Sequence, residues 1–90
     1  MEYRYSLPFF IKGSIIDVET TGLDSSRDYI VVFGVITKNK MIILGREVGD
    51  RDFDSVVSHL LNVNCLRPFY AFNKEFEEDF LGVKFDKEIQ

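Results

Sequence analysis

The sequence contains 90 residues, which is enough for one domain, and 46% of them are apolar, with nine Phe and four Tyr. Because a disordered chain contains far fewer large apolar side chains, this composition excludes a disordered protein and predicts a single globular domain over residues 1–90. The formal net charge is −4, from 15 acidic and 11 basic residues. This charge is unfavourable for a protein that coats DNA by contacting its phosphates. It does not exclude a metal-dependent nuclease, because cations fill the acidic site of such an enzyme.

The first half of the chain predicts three strands. Residues 14–19 form an apolar run that becomes polar at its end, and Gly22 then permits a turn. Residues 29–36 are continuously β-branched and aromatic, which is typical of a central strand covered on both faces. Residues 37–40 are predicted as a tight turn into a third strand at residues 41–44. We therefore expect the second and third strands to form an antiparallel hairpin.

The second half of the chain predicts a helix, a strand and another helix. Five apolar residues recur at helical spacing and indicate one buried helix face: Phe53, Val56, Val57, Leu60 and Leu61. Asp52 or Asp54 is expected to cap the first turn of this helix. Residues 69–72 then form a short strand, and residues 75–81 form a second, acidic helix.

The predicted order is β-β-β-α-β-α, which places the chain in the α/β class with a mixed sheet and helices packed against it. Residues 83–90 contain no complete further element. We therefore expect a fold that is incomplete after the second helix.

Asp17 and Glu19 are the candidate metal ligands. They lie two residues apart at the end of a strand, so both side chains point to the same face. Two neighbouring carboxylates repel each other unless protons or cations separate them, and their hard oxygens suit Mg²⁺ or Mn²⁺. A pair of such ions can activate water and stabilise the leaving oxygen of a phosphodiester. The alternative is that both residues are polar only because the strand reaches the surface there.

The nine residues from Ile15 to Leu23, Ile-Ile-Asp-Val-Glu-Thr-Thr-Gly-Leu, resemble the first motif of the DEDD superfamily of 3′–5′ exonucleases. That superfamily includes proofreading and RNA-trimming enzymes and has an RNase H-like fold. The resemblance implies that Asp17 and Glu19 bind metal. It also implies a backbone contact near Thr20 to the 3′-terminal nucleotide and an apolar wedge at Leu23 against the terminal bases.

The second motif of the superfamily, His-Asn-x-x-Phe-Asp, is similar to residues 72–77, Phe-Asn-Lys-Glu-Phe-Glu. Asn73 and Phe76 match, and the resemblance implies a nucleic-acid contact at Asn73. Phe72 replaces the His, and Glu77 replaces the Asp as a catalytic, metal-binding residue. Asp79 is a poorer candidate because it lies roughly 200° around the helix from Glu77. An ordinary surface glutamate is the alternative interpretation of Glu77.

The third motif, which supplies the last Asp of the superfamily, has no counterpart in residues 83–90. The leading hypothesis is therefore a metal-dependent 3′–5′ exonuclease domain that hydrolyses phosphodiesters with two metal ions at a nucleic-acid 3′ end and is incomplete in this chain. Either the sequence is the N-terminal fragment of a longer enzyme, or it is a natural short form that lacks part of the site, and in both cases the chain alone can be inactive. The alternative is a non-catalytic RNase H-like module for binding or assembly.

The remaining features concern the surroundings of the protein. Cys65 is the single cysteine, which excludes an intramolecular disulfide, and the longest apolar run is far below the roughly 20 residues of a membrane span. We therefore expect a cytoplasmic protein with no membrane partner. The aromatic residues of the N-terminal segment are expected to form a packing segment or an edge strand, with base stacking as the alternative: Tyr3, Tyr5, Phe9 and Phe10.

Overall fold

A four-stranded mixed sheet with two helices forms the α/β architecture of this chain, in a computed structural model that describes all 90 residues. The elements follow in the order β1 (Glu2–Thr20), β2 (Ile30–Gly45), α1 (Phe53–Val63), β3 (Phe69–Ala71), α2 (Lys74–Leu81) and β4 (Lys87–Glu88). The α/β class, both helices and the strand before α2 agree with the prediction. The order β-β-α-β-α-β replaces the predicted β-β-β-α-β-α. Neither α1 nor α2 has the length and apolar character of a membrane-spanning helix.

The first two strands form one long antiparallel pair, whose register runs from Glu2 opposite Leu44 to Thr20 opposite Ile30. The predicted turn at residues 37–40, and the hairpin that depended on it, are therefore wrong. Lys38 has a φ of 56°, and the register of β1 shifts twice between Ser6 and Ser14, so the strands bend there without ending. The predicted third strand is the second half of β2, and it pairs with the N-terminal segment.

Strand β1 lies inside the sheet, whose order is β2-β1-β3-β4. Its neighbour β3 runs parallel to it and pairs only at Ser14 and Ile15. Strand β4 runs parallel to β3. Strand β4 was not predicted because Lys87 and Glu88 are exposed and polar. Backbone hydrogen bonds, which depend little on side chains, form this strand; one of them joins Ile89 N to Ala71 O at 2.7 Å.

The hydrophobic core lies on one face of the sheet. Ile16, Val18 and Phe33 project from this face and pack with buried residues of α1: Phe53, Val57, Leu60 and Leu61. Strand β2 was expected to be central and covered on both faces. It is instead an edge strand in which buried residues alternate with half-buried ones, because no helix covers the second face.

The two helices begin differently. Asp52 occupies the N-cap position of α1, but its side chain makes no capping hydrogen bond, and Asp54 instead accepts a hydrogen bond from Arg46 at 2.6 Å. Asp52 therefore has the expected position and Asp54 lies in the first turn, but the expected capping hydrogen bond is not formed. At α2, the side chain of Asn73 accepts from Phe76 N at 3.2 Å, and Gly82 ends the helix with a φ of 69°.

Candidate metal site at the end of strand β1

Asp17 and Glu19 lie near the C-terminal end of β1, on the face of the sheet that no helix covers. Both side chains are exposed, whereas Ile16 and Val18 between and beside them are buried on the other face. The residue opposite Asp17 on β2 is Gly34, which has no side chain to cover the carboxylate. The period of two along β1 therefore produces the same-face arrangement expected from the sequence.

Glu77 extends from α2 to the edge of β1. Only 2% of its surface is exposed, and its Oε1 accepts a hydrogen bond from Val18 N at 3.3 Å. Because β3 pairs with β1 only at Ser14 and Ile15, the edge of β1 is open at Val18, and the carboxylate occupies that opening. Its Oε2 is buried without a hydrogen-bond partner, and no other buried side-chain oxygen or nitrogen lacks one.

The electrostatic surroundings connect Glu77 with the other two carboxylates. The pKa of Glu77 is raised to about 8 by several effects together. Burial raises it most, the hydrogen bond from Val18 N lowers it, and two neighbours also raise it: Asp17, through its charge and a proton that the two carboxyl groups can share, and Glu19, through its charge. Asp79 is exposed on the same helix. The structure thus brings Glu77, and not Asp79, to the Asp17–Glu19 pair.

The donor chemistry of these residues fits a hard divalent cation, since all the available atoms are carboxylate oxygens and one of them is buried without a partner. The three side chains do not form a preassembled cluster, because no group of three His, Cys, Asp or Glu residues is placed to hold an ion together. A cation would therefore have to draw the exposed Asp17 and Glu19 towards Glu77.

The three residues expected to contact nucleic acid have different local environments in the structure. Thr20 donates a hydrogen bond from its side chain to the carbonyl of Gly22, so it stabilises the turn after β1. Leu23 is 87% exposed in that turn. Asn73 caps α2, and its side-chain oxygen is occupied by that hydrogen bond.

Two features of the site were not foreseen from the sequence. The backbone N–H of Val18 orients Glu77, and no sequence signal identifies it, because its availability depends on where β3 stops pairing. Phe72 is exposed and lines an open groove with Asp17. The sequence feature that could have pointed to this position is that Phe72, an apolar residue, stands where the motif has His.

Comparisons with protein families, with curated proteins and with solved structures found no match. The function of the chain is therefore inferred from its own residues and their geometry.

Proposed function

We propose that this chain is an RNase H-like, metal-dependent 3′–5′ exonuclease domain in which Asp17, Glu19 and Glu77 bind Mg²⁺ or Mn²⁺. The observation that carries the proposal is the buried, unpartnered Oε2 of Glu77 beside two exposed carboxylates. A buried carboxylate oxygen without a partner is costly, and a functional site is a physical reason to keep one.

The strand arrangement also supports this proposal. The strand that contains the Asp-x-Glu pair lies between an antiparallel and a parallel neighbour, and the helix that contains Glu77 follows the parallel strand. Ligand sites of α/β sheets lie in the crevice beyond the carboxyl ends of such strands. Asp17, Glu19 and Glu77 all lie at this end of β1.

Each residue has a separate part in the proposed site. Val18 N–H holds one oxygen of Glu77 and leaves the other free, while Asp17 and Glu19 approach from the exposed face. Bound divalent ions would supply an activated water and would stabilise the charge on the leaving oxygen of a phosphodiester. Thr20 is the last residue of β1, Leu23 lies in the turn that follows, and Asn73 precedes helix α2; these three residues would contact the nucleotide at the 3′ end of DNA or RNA.

A non-catalytic RNase H-like module is the second candidate. It is favoured by the lack of a preassembled three-ligand cluster and by the hydrogen bond from Val18, which gives Glu77 a structural role without any metal. Such a module would keep the fold and use its surface for binding or assembly.

Titration of the 90-residue chain with Mn²⁺ by calorimetry tests the metal site. We expect binding by the wild type and by Asp79→Ala, which removes an exposed carboxylate of α2, and no binding by Asp17→Ala. Binding that is absent, or equal in wild type and Asp17→Ala, would overturn the metal site.

Hydrolysis of oligonucleotides separates the two candidate functions. Single-stranded DNA and RNA labelled at the 3′ end would be incubated with the chain and Mn²⁺, with Asp17→Ala as the control. Release of labelled mononucleotides by the wild type alone supports the exonuclease. Because the third motif is missing from this chain, the absence of hydrolysis alone does not decide between the two candidates. The non-catalytic module is favoured when neither hydrolysis nor Asp17-dependent Mn²⁺ binding is observed.

A further inference from the structure

The uncovered face of the sheet is apolar over most of its length. We define the open face by six residues: Tyr3, Tyr5, Ile15, Ile36, Met41 and Phe72. A groove of about 230 Å³ runs along it, lined by several of these side chains together with Asp17. Asp17 is the only charged residue in the lining of this groove.

The two tyrosines belong to the same face as the groove. Tyr5 lies opposite Met41 and Tyr3 lies opposite Ile43, and both of these β2 residues line the groove. Directly opposed residues of an antiparallel pair point to the same side of the sheet. The rings of Tyr3 and Tyr5 also stack, with centroids 6.5 Å apart.

The apolar area of the open face is comparable to the apolar area of one side of a protein interface. Tyr3, Tyr5 and Phe72 are 48%, 50% and 63% exposed. With about 200 Å² on each aromatic side chain, they expose roughly 300 Å², and the half-buried aliphatic residues raise the total to on the order of 400–450 Å². A stable protein interface buries about 800 Å² per partner, of which a little more than half is apolar. The open face therefore supplies nearly the apolar area that one side of a dimer requires.

The charged and polar groups of the open face indicate which kind of molecule it binds. Nucleic acid binds through cations that contact its phosphates, and the groove offers only the carboxylate of Asp17. The face does complement itself, since phenol donors lie at one end, at Tyr3 and Tyr5, and carboxylate acceptors lie at the other, at Asp17 and Glu19. A two-fold axis perpendicular to the strands brings the donors of one copy to the acceptors of the next.

We propose that the open face binds a second copy of this chain, face to face, with the strands of the two sheets antiparallel. The aromatic and aliphatic side chains form the centre of this interface. The hydroxyls of Tyr3 and Tyr5 donate hydrogen bonds to the carboxylates of Asp17 and Glu19 of the other copy. This inference requires neither metal nor nucleic acid. Because the interface uses Asp17 and Glu19, the dimer and the proposed bound metal exclude each other, and the dimer is therefore tested in EDTA.

Sedimentation equilibrium of the whole chain, in EDTA and over a series of micromolar concentrations, tests the dimer. We expect a reversible dimer for the wild type and for Val56→Lys, which places the same charge on the exposed side of α1. Phe72→Lys and Tyr5→Lys are each expected to weaken the dimer by about 30-fold, because each substitution replaces a large aromatic side chain of the interface with a charge.

The orientation is tested by Tyr3→Phe combined with Tyr5→Phe, which keeps the rings and removes the donors. A weakening of about tenfold is expected from the loss of hydrogen bonds to charged acceptors. Circular dichroism checks that each variant is folded. If Phe72→Lys does not fold, Tyr5→Lys, at a half-exposed position, replaces it as the test of the interface. A wild type that stays monomeric throughout, or a dimer unaffected by both lysine variants, would overturn the proposal. An unchanged dimer in the double Phe variant would overturn its antiparallel arrangement.

Discussion

At the scale of a single residue, two opposing effects act on the protonation of Glu77. Its aliphatic stem and carboxyl group are buried with the core, which favours the neutral form, while Val18 N–H favours the charged form. The nearby Asp17 and Glu19 add to the first effect. A residue in this situation makes the stability of the protein depend on pH.

We expect the free energy of unfolding to fall between pH 5 and pH 8 because of Glu77. Its pKa is about 8 in the folded chain, against an ordinary value of 4.5, so in this range the folded state holds a proton that the unfolded state has lost. The stabilisation is complete below about pH 4.5 and is lost as the pH rises through 8, by on the order of a few kcal/mol. Urea denaturation in EDTA at both pH values measures it.

Glu77→Gln is the control for this pH dependence, because a neutral amide of the same shape cannot titrate. The variant should lose most of the difference in stability between pH 5 and pH 8. An equally steep pH dependence in the variant and the wild type would show that other groups cause it.

Ser14 is a second buried polar residue, and its hydroxyl joins three segments. Its Oγ accepts from Leu66 N at 2.9 Å and lies 2.8 Å from Leu66 O and 3.0 Å from the hydroxyl of Thr37. Ser14→Ala leaves these groups without their partner and should cost about 1–3 kcal/mol in urea denaturation. Ser58→Ala, on the exposed side of α1, should change stability little, and equal effects of the two substitutions would contradict this role for Ser14.

At the scale of the elements, the close approach of β3 to β1 depends on a glycine. Gly13 has a φ of 86°, and a Cβ at this position would lie 2.4 Å from the carbonyl oxygen of Pro68. That carbonyl accepts from Ser14 N at 2.9 Å, next to the first paired residues of β1 and β3. A side chain at position 13 would therefore separate these two strands where their pairing begins.

We expect Gly13→Ala to destabilise the chain by about 2–5 kcal/mol, from left-handed strain together with the steric overlap. Gly49→Ala is the matched control, since Gly49 has a φ of 81° and a Cβ there would have no other atom within 4 Å. It should cost only about 1–2 kcal/mol, from strain alone. Thermal and urea denaturation compare the two variants, and a cost at Gly13 no greater than at Gly49 would exclude the overlap.

At the scale of the whole molecule, the chain has two layers and one uncovered side. Helix α1 and the buried residues of the sheet form the core on one face. Asp17, Glu19 and the apolar open face lie on the other. A cation that binds the carboxylates therefore acts on the exposed side and connects β1 to α2 through Glu77.

We expect Mn²⁺ to raise the Tm of the chain, because a ligand that binds only the folded state stabilises it. At a hundred times Kd the stabilisation is about 2.7 kcal/mol. Thermal denaturation followed by circular dichroism should show this rise in the wild type and in Asp79→Ala, but not in Asp17→Ala. A rise of equal size in Asp17→Ala would place the bound ion elsewhere on the protein.

What the sequence alone determined is local. The period of 3.6 residues identified α1, and the period of two placed Asp17 and Glu19 on one face, because each pattern depends only on near neighbours along the chain. Helix geometry likewise favoured Glu77 over Asp79 as the residue directed inwards. The α/β class followed from the order of these elements.

What only the tertiary structure decided depends on residues far apart in the sequence. Strand β2 continues through Lys38 because the N-terminal segment supplies a partner for its second half. Strand β4 exists through backbone hydrogen bonds, which leave no mark in the side-chain pattern. The burial of Glu77 follows from the early end of the β1–β3 pairing, and the second apolar face of the sheet is open because neither helix packs on it. Pairing and burial are set by which segments meet in space, and a periodic pattern of side chains does not specify that.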